Sequence, residues 1–196
     1  MNKYIKMKST GIPDNEFIRG NVPMTKSEVR SVILSKLQIL EGNQVCDIGA
    51  GSGSLSVELG KLASKGRIYS LEKNLEAVEL IKKNIRKFEI ENIKLIEGKA
   101  PEALVEIPQV DRVFIGGSGG YMQEIIQWSY ETVKSGGIVA ASTITIENNY
   151  TALKAFESMG FKNIEVVQIS VSKTSKVGRV NMMKALNPIN IISAER

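Results

Sequence analysis

Apolar positions along the chain follow two different rhythms. Short apolar runs at residues 45–48, 67–72, 93–96, 110–115 and 138–141 read as strands of a sheet buried on both faces. The stretches between them have helical spacing. Over residues 25–40, Val29, Val32, Ile33, Leu37 and Leu40 share one helical face, and Thr25-Lys26-Ser27-Glu28 has the pattern of a capping box. A second helix is predicted over about residues 54–65, and a third is capped by Asn74 and lined by Leu75, Val78, Ile81, Ile85 and Phe88. A fourth runs through Ile125 and Ile126 to Ser135-Gly136-Gly137, which reads as a turn. A fifth, over 150–159, stops at Gly160. Two last strands, around 164–171 and 180–186, are expected to pair as a hairpin. This alternation predicts one α/β domain: a Rossmann-like, doubly wound sheet, mostly parallel, with a C-terminal antiparallel hairpin.

Ligands in such open sheets lie outside the carboxyl ends of the strands. That rule gathers Gly49 to Gly53, Glu72, Lys99, Ala100 and the run Gly116-Gly117-Ser118-Gly119-Gly120 into one cleft. The first of these loops carries the clearest signal. In Val45-Cys46-Asp47-Ile48-Gly49-Ala50-Gly51-Ser52-Gly53-Ser54 a strand breaks into glycines and then opens a helix, which brings bare backbone N–H groups close to a ligand. Glu72 follows at the tip of the next strand, where an acid can accept hydrogen bonds from two ribose hydroxyls. A dinucleotide fingerprint requires G-x-G-x-x-G/A. Here Ser54 holds the third position, and Asp47-x-Gly49-x-Gly51-x-Gly53 fits the S-adenosylmethionine loop of a class I methyltransferase better. The bland alternative is a strand–turn–helix without a ligand, in which such closely spaced glycines would be costly. Asp47 either holds the cofactor's amino group, directly or through water, or braces the loop by bonding its backbone.

Composition narrows the chemistry. The 196 residues, 42% hydrophobic and 24% charged, suit one globular domain. No apolar run is long enough to span a bilayer. The basic stretch from Met1 to Thr10 lacks the apolar core of a signal peptide, so a cytoplasmic protein is expected. Cys46, the one cysteine, falls in a buried strand and reads as core. Histidine is absent, which removes His-dependent triads, most zinc sites and imidazole bases; no metal site is expected. Proton transfer is left to Asp, Glu, Lys, Tyr, water or the substrate. The net charge of +5 suits an anionic partner, either nucleic acid or a small polycarboxylate.

Several further motifs bring the chain close to a known family. Gly11-Ile12-Pro13-Asp14-x-Glu16-Phe17 and Pro23-Met24-Thr25-Lys26-x-Glu28-Val29-Arg30 resemble the N-terminal signature of the decarboxylating cobalt-precorrin-6B C-15 methyltransferases. Glu97-Gly98-x-Ala100-Pro101-Glu102-Ala103-Leu104, the 116–120 run, Met182-Met183 and Asn187-Pro188 match as well. The resemblance implies methyl transfer from S-adenosylmethionine to C-15 of a corrinoid precursor, with loss of carbon dioxide from the C-12 acetate, in anaerobic cobalamin synthesis. It implies cofactor contacts at Thr25, Gly49, Ala50, Gly51, Ser52, Gly53, Glu72 and Ala100, and a stand-alone homotetramer. Residues 1–24 become a segment packing at the cleft and 25–196 the methyltransferase domain. Lys99 departs from the family, in which the position before the alanine is usually acidic, and the basic segment 173–179 departs in detail.

The expected acceptor is a polyanionic tetrapyrrole. Gly116, Gly117, Ser118, Gly119 and Gly120 would allow close approach of a flat macrocycle, or form only a flexible turn. Arg19 and Arg179, with Lys26, Arg30, Lys173 and Lys176, are candidate partners for its carboxylates, though each alone could be a solvated surface charge. Thr25 could contact the cofactor, cap its helix, or both. An electron-rich tetrapyrrole carbon needs little acid–base help, and loss of the C-12 carboxylate can supply electrons through the conjugated system. A tRNA or rRNA methyltransferase is the alternative that the fold and basicity allow. Phe114-Ile115-Gly116-Gly117 in place of an Asp/Asn-Pro-Pro-aromatic motif, and an aromatic content of 6%, speak against it, and no nucleic-acid or membrane partner is expected. A cofactor-binding scaffold without catalysis is the other alternative.

Overall fold

The computed structural model describes residues 10–196; the expectation that stretch 1–9 is not a signal peptide lies outside the described residues. In chain order the elements are α1 (Ser27–Leu37), β1 (Gln44–Ile48), α2 (Ser54–Leu62), β2 (Arg67–Glu72), α3 (Leu75–Lys87), β3 (Ile93–Glu97), β4 (Val110–Ile115), α4 (Met122–Thr132), β5 (Val133–Thr143), α5 (Ile146–Met159), β6 (Lys162–Ile169), β7 (Ser172–Val177), β8 (Val180–Ala185) and β9 (Ile189–Glu195). Seven strands form one sheet in the order β3-β2-β1-β4-β5-β9-β6, and β7 and β8 form a separate two-stranded ribbon. The first five strands run parallel, and β9 pairs antiparallel with both β5 and β6.

Strand periodicity divides the core in two. Val45, Ile68, Phe114, Ala140 and Ile191 face α1 and α2, where they meet Ile33, Leu37, Leu55 and Leu59. Their neighbours Cys46, Val113, Val139, Ala141 and Ile192 point the other way, onto Ile125, Ile126 and Phe156 of α4 and α5. Each Val, Leu, Ile or Phe among them contributes about 1.5–3 kcal/mol on burial, so the two apolar layers hold the strand ends, and the loops on them, in register.

Several expected boundaries move. The Thr25 capping box does not form: α1 starts at Ser27, Lys26 at its N-cap makes no side-chain cap bond, and the Ser27 N–H donates to Asp14 Oδ1 at 2.9 Å. Asp14 reaches in from outside the helix and does what Thr25 was expected to do. The helix closes at Leu37 because Gln38 turns left-handed (φ 48°), which leaves Leu40 64% exposed. Ser135-Gly136-Gly137 is a kink inside β5 rather than a turn before it. The pairing with β4 jumps from Val110↔Val133 to Arg112↔Ile138 around it, and Gly136 has φ +74°. The expected pairing of 164–171 with 180–186 is also overturned. β6 pairs with β9, and β8 pairs with β7 over Ser172↔Ala185 to Val177↔Val180. β9, which the sequence pattern did not announce, takes the place beside β5.

Candidate active site

The loops at the carboxyl ends of β1, β2, β3 and β4 surround a cavity of about 390 Å³. The segment before α1 closes it as a strap, contributing Asn21, Val22, Pro23 and Thr25. Of the residues singled out in the sequence, Thr25, Asp47, Gly49, Ala50, Gly51, Ser52, Glu72, Lys99, Ala100, Gly116, Gly117, Ser118 and Gly119 line this cavity. Gly53 and Gly120 do not. Gly53 instead packs under α3, where an added Cβ would stand 3.0 Å from Ile81. Arg19 is exposed on the strap, and Arg179 is exposed at the turn between β7 and β8; neither lines the cavity.

The glycine loop differs from its expected form in one respect. Its N–H groups are not bare: those of Gly49 and Ala50 donate to the Leu71 carbonyl (2.9 and 3.1 Å), Gly53 donates to Ala50 (2.9 Å), and Gly51 to Glu72 Oε2 (2.9 Å). The backbone satisfies itself against β2, and the glycines serve shape instead. Gly49 has φ +74°, and a Cβ there would stand 2.8 Å from the Gly117 nitrogen, so the loops after β1 and β4 touch through glycine backbone. Gly51, at φ +57°, faces the Pro23 carbonyl of the strap, 3.2 Å from where its Cβ would be.

Glu72 is the hub of this wall. Besides the Gly51 N–H, its Oε1 accepts from Lys73 N–H (2.8 Å) and Asn74 N–H (2.9 Å). A carboxylate has about four acceptor positions, so three backbone donors leave capacity for a ligand hydroxyl. Asp47 is 1% exposed, and its Oδ2 accepts from Ser56 Oγ of α2 at 2.5 Å, a side-chain hydroxyl rather than the loop backbone that the bracing role called for. Burial pushes the Asp47 carboxyl up to about 7; the Ser56 hydroxyl pulls it down in part, and the charge of Glu72 pushes it up further. Ser52 Oγ is buried with no hydrogen-bond partner. An orphaned hydroxyl in a cavity wall, a carboxylate with a free acceptor position, and a cradle that a Cβ would fill all fit a polar, hydroxyl-bearing ligand such as the adenosyl cofactor.

On the far wall, Lys99 Nζ donates to Tyr121 Oη at 2.9 Å and lies 4.1 Å from the ring centroid. That hydrogen bond raises the Lys99 ammonium above its ordinary value. Lys73 lines the same cavity, a residue that the sequence pattern gave no reason to select.

Arg30 is removed from the list of substrate contacts. Its side chain is fully buried, with Nε 2.9 Å from Glu58 Oε1, Nη1 2.9 Å from Asp14 Oδ1, and further bonds to the Thr25 and Ile12 carbonyls. Its guanidinium also stacks 4.8 Å from the Phe17 ring. Arg30 therefore ties the strap to α1 and α2; removing one partner of such a buried pair typically costs about 3–5 kcal/mol. Lys173 is likewise engaged, 2.9 Å from Glu28 and 3.6 Å from Asp14, and so joins the hairpin to the same cluster. Lys26 is half-buried at the α1 N-cap, and Lys176 is exposed on β7. Asp14, quoted only within a motif, and Ser56 and Glu58, buried in α2, were given no role because an acid or serine carries no signal until its partner is known. Among the described residues no cluster of His, Cys, Asp or Glu could hold a metal ion, and no helix is long and apolar enough to cross a membrane.

The family model described as a precorrin methyltransferase domain matches residues 16–196. The probable cobalt-precorrin-6B C(15)-methyltransferase (decarboxylating) of Saccharolobus solfataricus is 43% identical over 190 residues, covering 95% of this chain and 96% of that protein. The cobalt-precorrin-6B C(15)-methyltransferase (decarboxylating) of Salmonella typhimurium is 33% identical, covering 93% and 95%. The crystal structure of precorrin-6y C5,15-methyltransferase from Geobacter metallireducens superposes with a TM-score of 0.90 at 40% identity, covering 95% of this chain and 97% of that one. With a matching family model over nearly all of its length, the chain belongs to the precorrin methyltransferase family.

Proposed function

We propose that this protein transfers a methyl group from S-adenosylmethionine to C-15 of cobalt-precorrin-6B and releases the C-12 acetate carboxyl as carbon dioxide, a step of anaerobic cobalamin synthesis. The observation that supports this best is that one cavity runs from Glu72 and the glycine loop to the Gly116–Gly119 wall, in a chain whose relatives bear that activity in their names.

S-adenosylmethionine supplies a methyl carbon activated by a sulfonium. Glu72 accepts a ribose hydroxyl at its free acceptor position, and Ser52 Oγ gains the partner it lacks. Gly49, Ala50, Gly51 and Gly53 shape the bed, the Ala100 backbone meets the adenine, and Thr25 closes the strap side. Asp47 meets the amino group, where its charge matches an ammonium. Gly116, Gly117, Ser118, Gly119 and Gly120 leave the macrocycle room to approach. Arg19, on the strap, and Arg179, at the turn between β7 and β8, meet acceptor carboxylates outside the cavity, and Lys73 and Lys99 add positive charge in its lining. In a histidine-free chain, orientation carries the catalysis: holding two reactants in line is worth effective molarities of about 10⁵–10⁸ M. The reading includes a cytoplasmic homotetramer in which residues 1–24 serve the cleft of the 25–196 domain.

Calorimetric titration with S-adenosylmethionine tests the cofactor half of this reading. Wild type is expected to bind. Glu72→Ala, which loses charge-assisted bonds of about 1.5–3 kcal/mol, is expected to bind at least tenfold more weakly. Equal affinity in the two proteins, or no binding to wild type, would overturn it.

A further inference from the structure

Three polar side chains of α3 hold the strap. Glu76 Oε1 accepts the Asn21 N–H at 3.0 Å, Lys87 Nζ donates to the Glu16 carbonyl, and Asn84 grips Ile18 from both sides. Its Oδ1 accepts the Ile18 N–H at 2.8 Å and its Nδ2 donates to the Ile18 carbonyl at 3.1 Å. Asn84 also does something its two neighbours do not: the same Nδ2 donates to the Ser52 carbonyl at 3.0 Å, in the glycine loop. The side chain is completely buried. One carboxamide thus spends its two donor hydrogens on opposite sides of a joint, with the strap on one and the loop on the other. A primary amide is the side-chain group that offers two donors and an acceptor in one plane, so aspartate, serine or leucine cannot reproduce the set.

The geometry points to Asn84 as a positioning residue that fixes the separation of the two cavity walls. The strap presents Asn21 to Thr25 to the cavity and the loop presents Gly49 to Ser52, while Asn84 itself is absent from the lining. Both walls are irregular backbone, and the carboxamide is a direct bond between them. Its loss lets the walls drift apart and weakens cofactor binding, but leaves the reaction of bound reactants little changed. This inference rests on the cofactor reading above.

Asn84→Asp keeps the acceptor for the Ile18 N–H and removes both donors; Asn84→Ser shortens the side chain. Phe156→Leu, in α5 on the opposite face of the sheet, is the control for lost stability alone. Ile18→Pro cuts the joint from the strap side, at a surface position preceded by the extended Phe17 (φ −84°, ψ 144°), and keeps the test open if neither Asn84 variant folds. The readouts are the dissociation constant for S-adenosylmethionine, kcat at saturating cofactor, and ligand-free hydrogen exchange in peptides covering 18–25 and 49–53. In the Asn84 variants exchange is expected to quicken in both segments together. The dissociation constant should rise about tenfold while kcat stays near wild type, and Phe156→Leu should leave the dissociation constant unmoved. Ile18→Pro is expected to weaken binding several-fold. Wild type that binds while every variant matches the Phe156→Leu control would overturn the inference alone, as would exchange that quickens in the strap without the loop. Wild type that binds no cofactor would overturn the cofactor reading and this inference with it.

Discussion

Asp47 shows how much one side chain's environment adds to its identity. In an unfolded chain its carboxyl would titrate near 3.9, whereas burial in the folded protein moves it to about 7. Between those values the folded state holds a proton that the unfolded state has lost. Folding stability therefore falls as pH rises from about 4 to 7, by up to roughly 4 kcal/mol from this group. Asp47→Asn removes the titration and keeps the shape. Its melting temperature relative to wild type is expected to be higher at pH 8 than at pH 5, measured by thermal denaturation at both. A cationic amino group beside the carboxylate would favour the ionised form, so wild-type cofactor affinity is expected to strengthen as pH rises through about 7, and that of Asp47→Asn to stay flat. Parallel behaviour of the two proteins across that range would remove Asp47 from the cofactor contacts.

At the scale of the element, the β7–β8 ribbon stands apart from the sheet. Val177, Val180, Met182 and Met183 are 53–66% exposed on it, and the successive methionines point to opposite faces of the strand. A lone two-stranded ribbon that exposes such apolar side chains among its polar ones is stabilised when another surface covers them. Sedimentation of the wild type is expected to give an assembly, and Met182→Lys with Met183→Lys to give smaller species; a wild-type monomer at micromolar concentration would contradict this. The ribbon is also where the sequence was hardest to read. β1 to β4 are apolar runs bounded by glycine or polar residues, so period and length identified them. β6 to β9 are no shorter but partly polar, and the choice between hairpin partners depends on long-range pairing that no local pattern carries. The strap was legible as a motif but not as a mechanism: Asp14 caps α1 from 13 positions away, and Arg30 reads as a surface charge until Glu58 and Asp14 are found beside it. The glycine loop was expected to bring bare N–H groups to a ligand, yet those of Gly49, Ala50 and Gly51 go to Leu71 and Glu72, since which acceptor a loop amide meets is decided by the neighbouring strand.

For the molecule as a whole, the two apolar layers, the strap and the glycine loops converge on one cavity in a chain with a net charge of +5. The net positive charge of the chain attracts anionic reactants and raises their local concentration, which suits a tetrapyrrole bearing several carboxylates. The central claim is that a methyl group enters and a carboxyl group leaves the same acceptor. It is tested most directly by incubating the protein with methyl-labelled S-adenosylmethionine and reduced cobalt-precorrin-6B, followed by mass spectrometry of the tetrapyrrole. The expected product gains one labelled methyl group and loses one carbon dioxide. A tetrapyrrole of unchanged mass, recovered from a protein that binds the cofactor, would contradict the account.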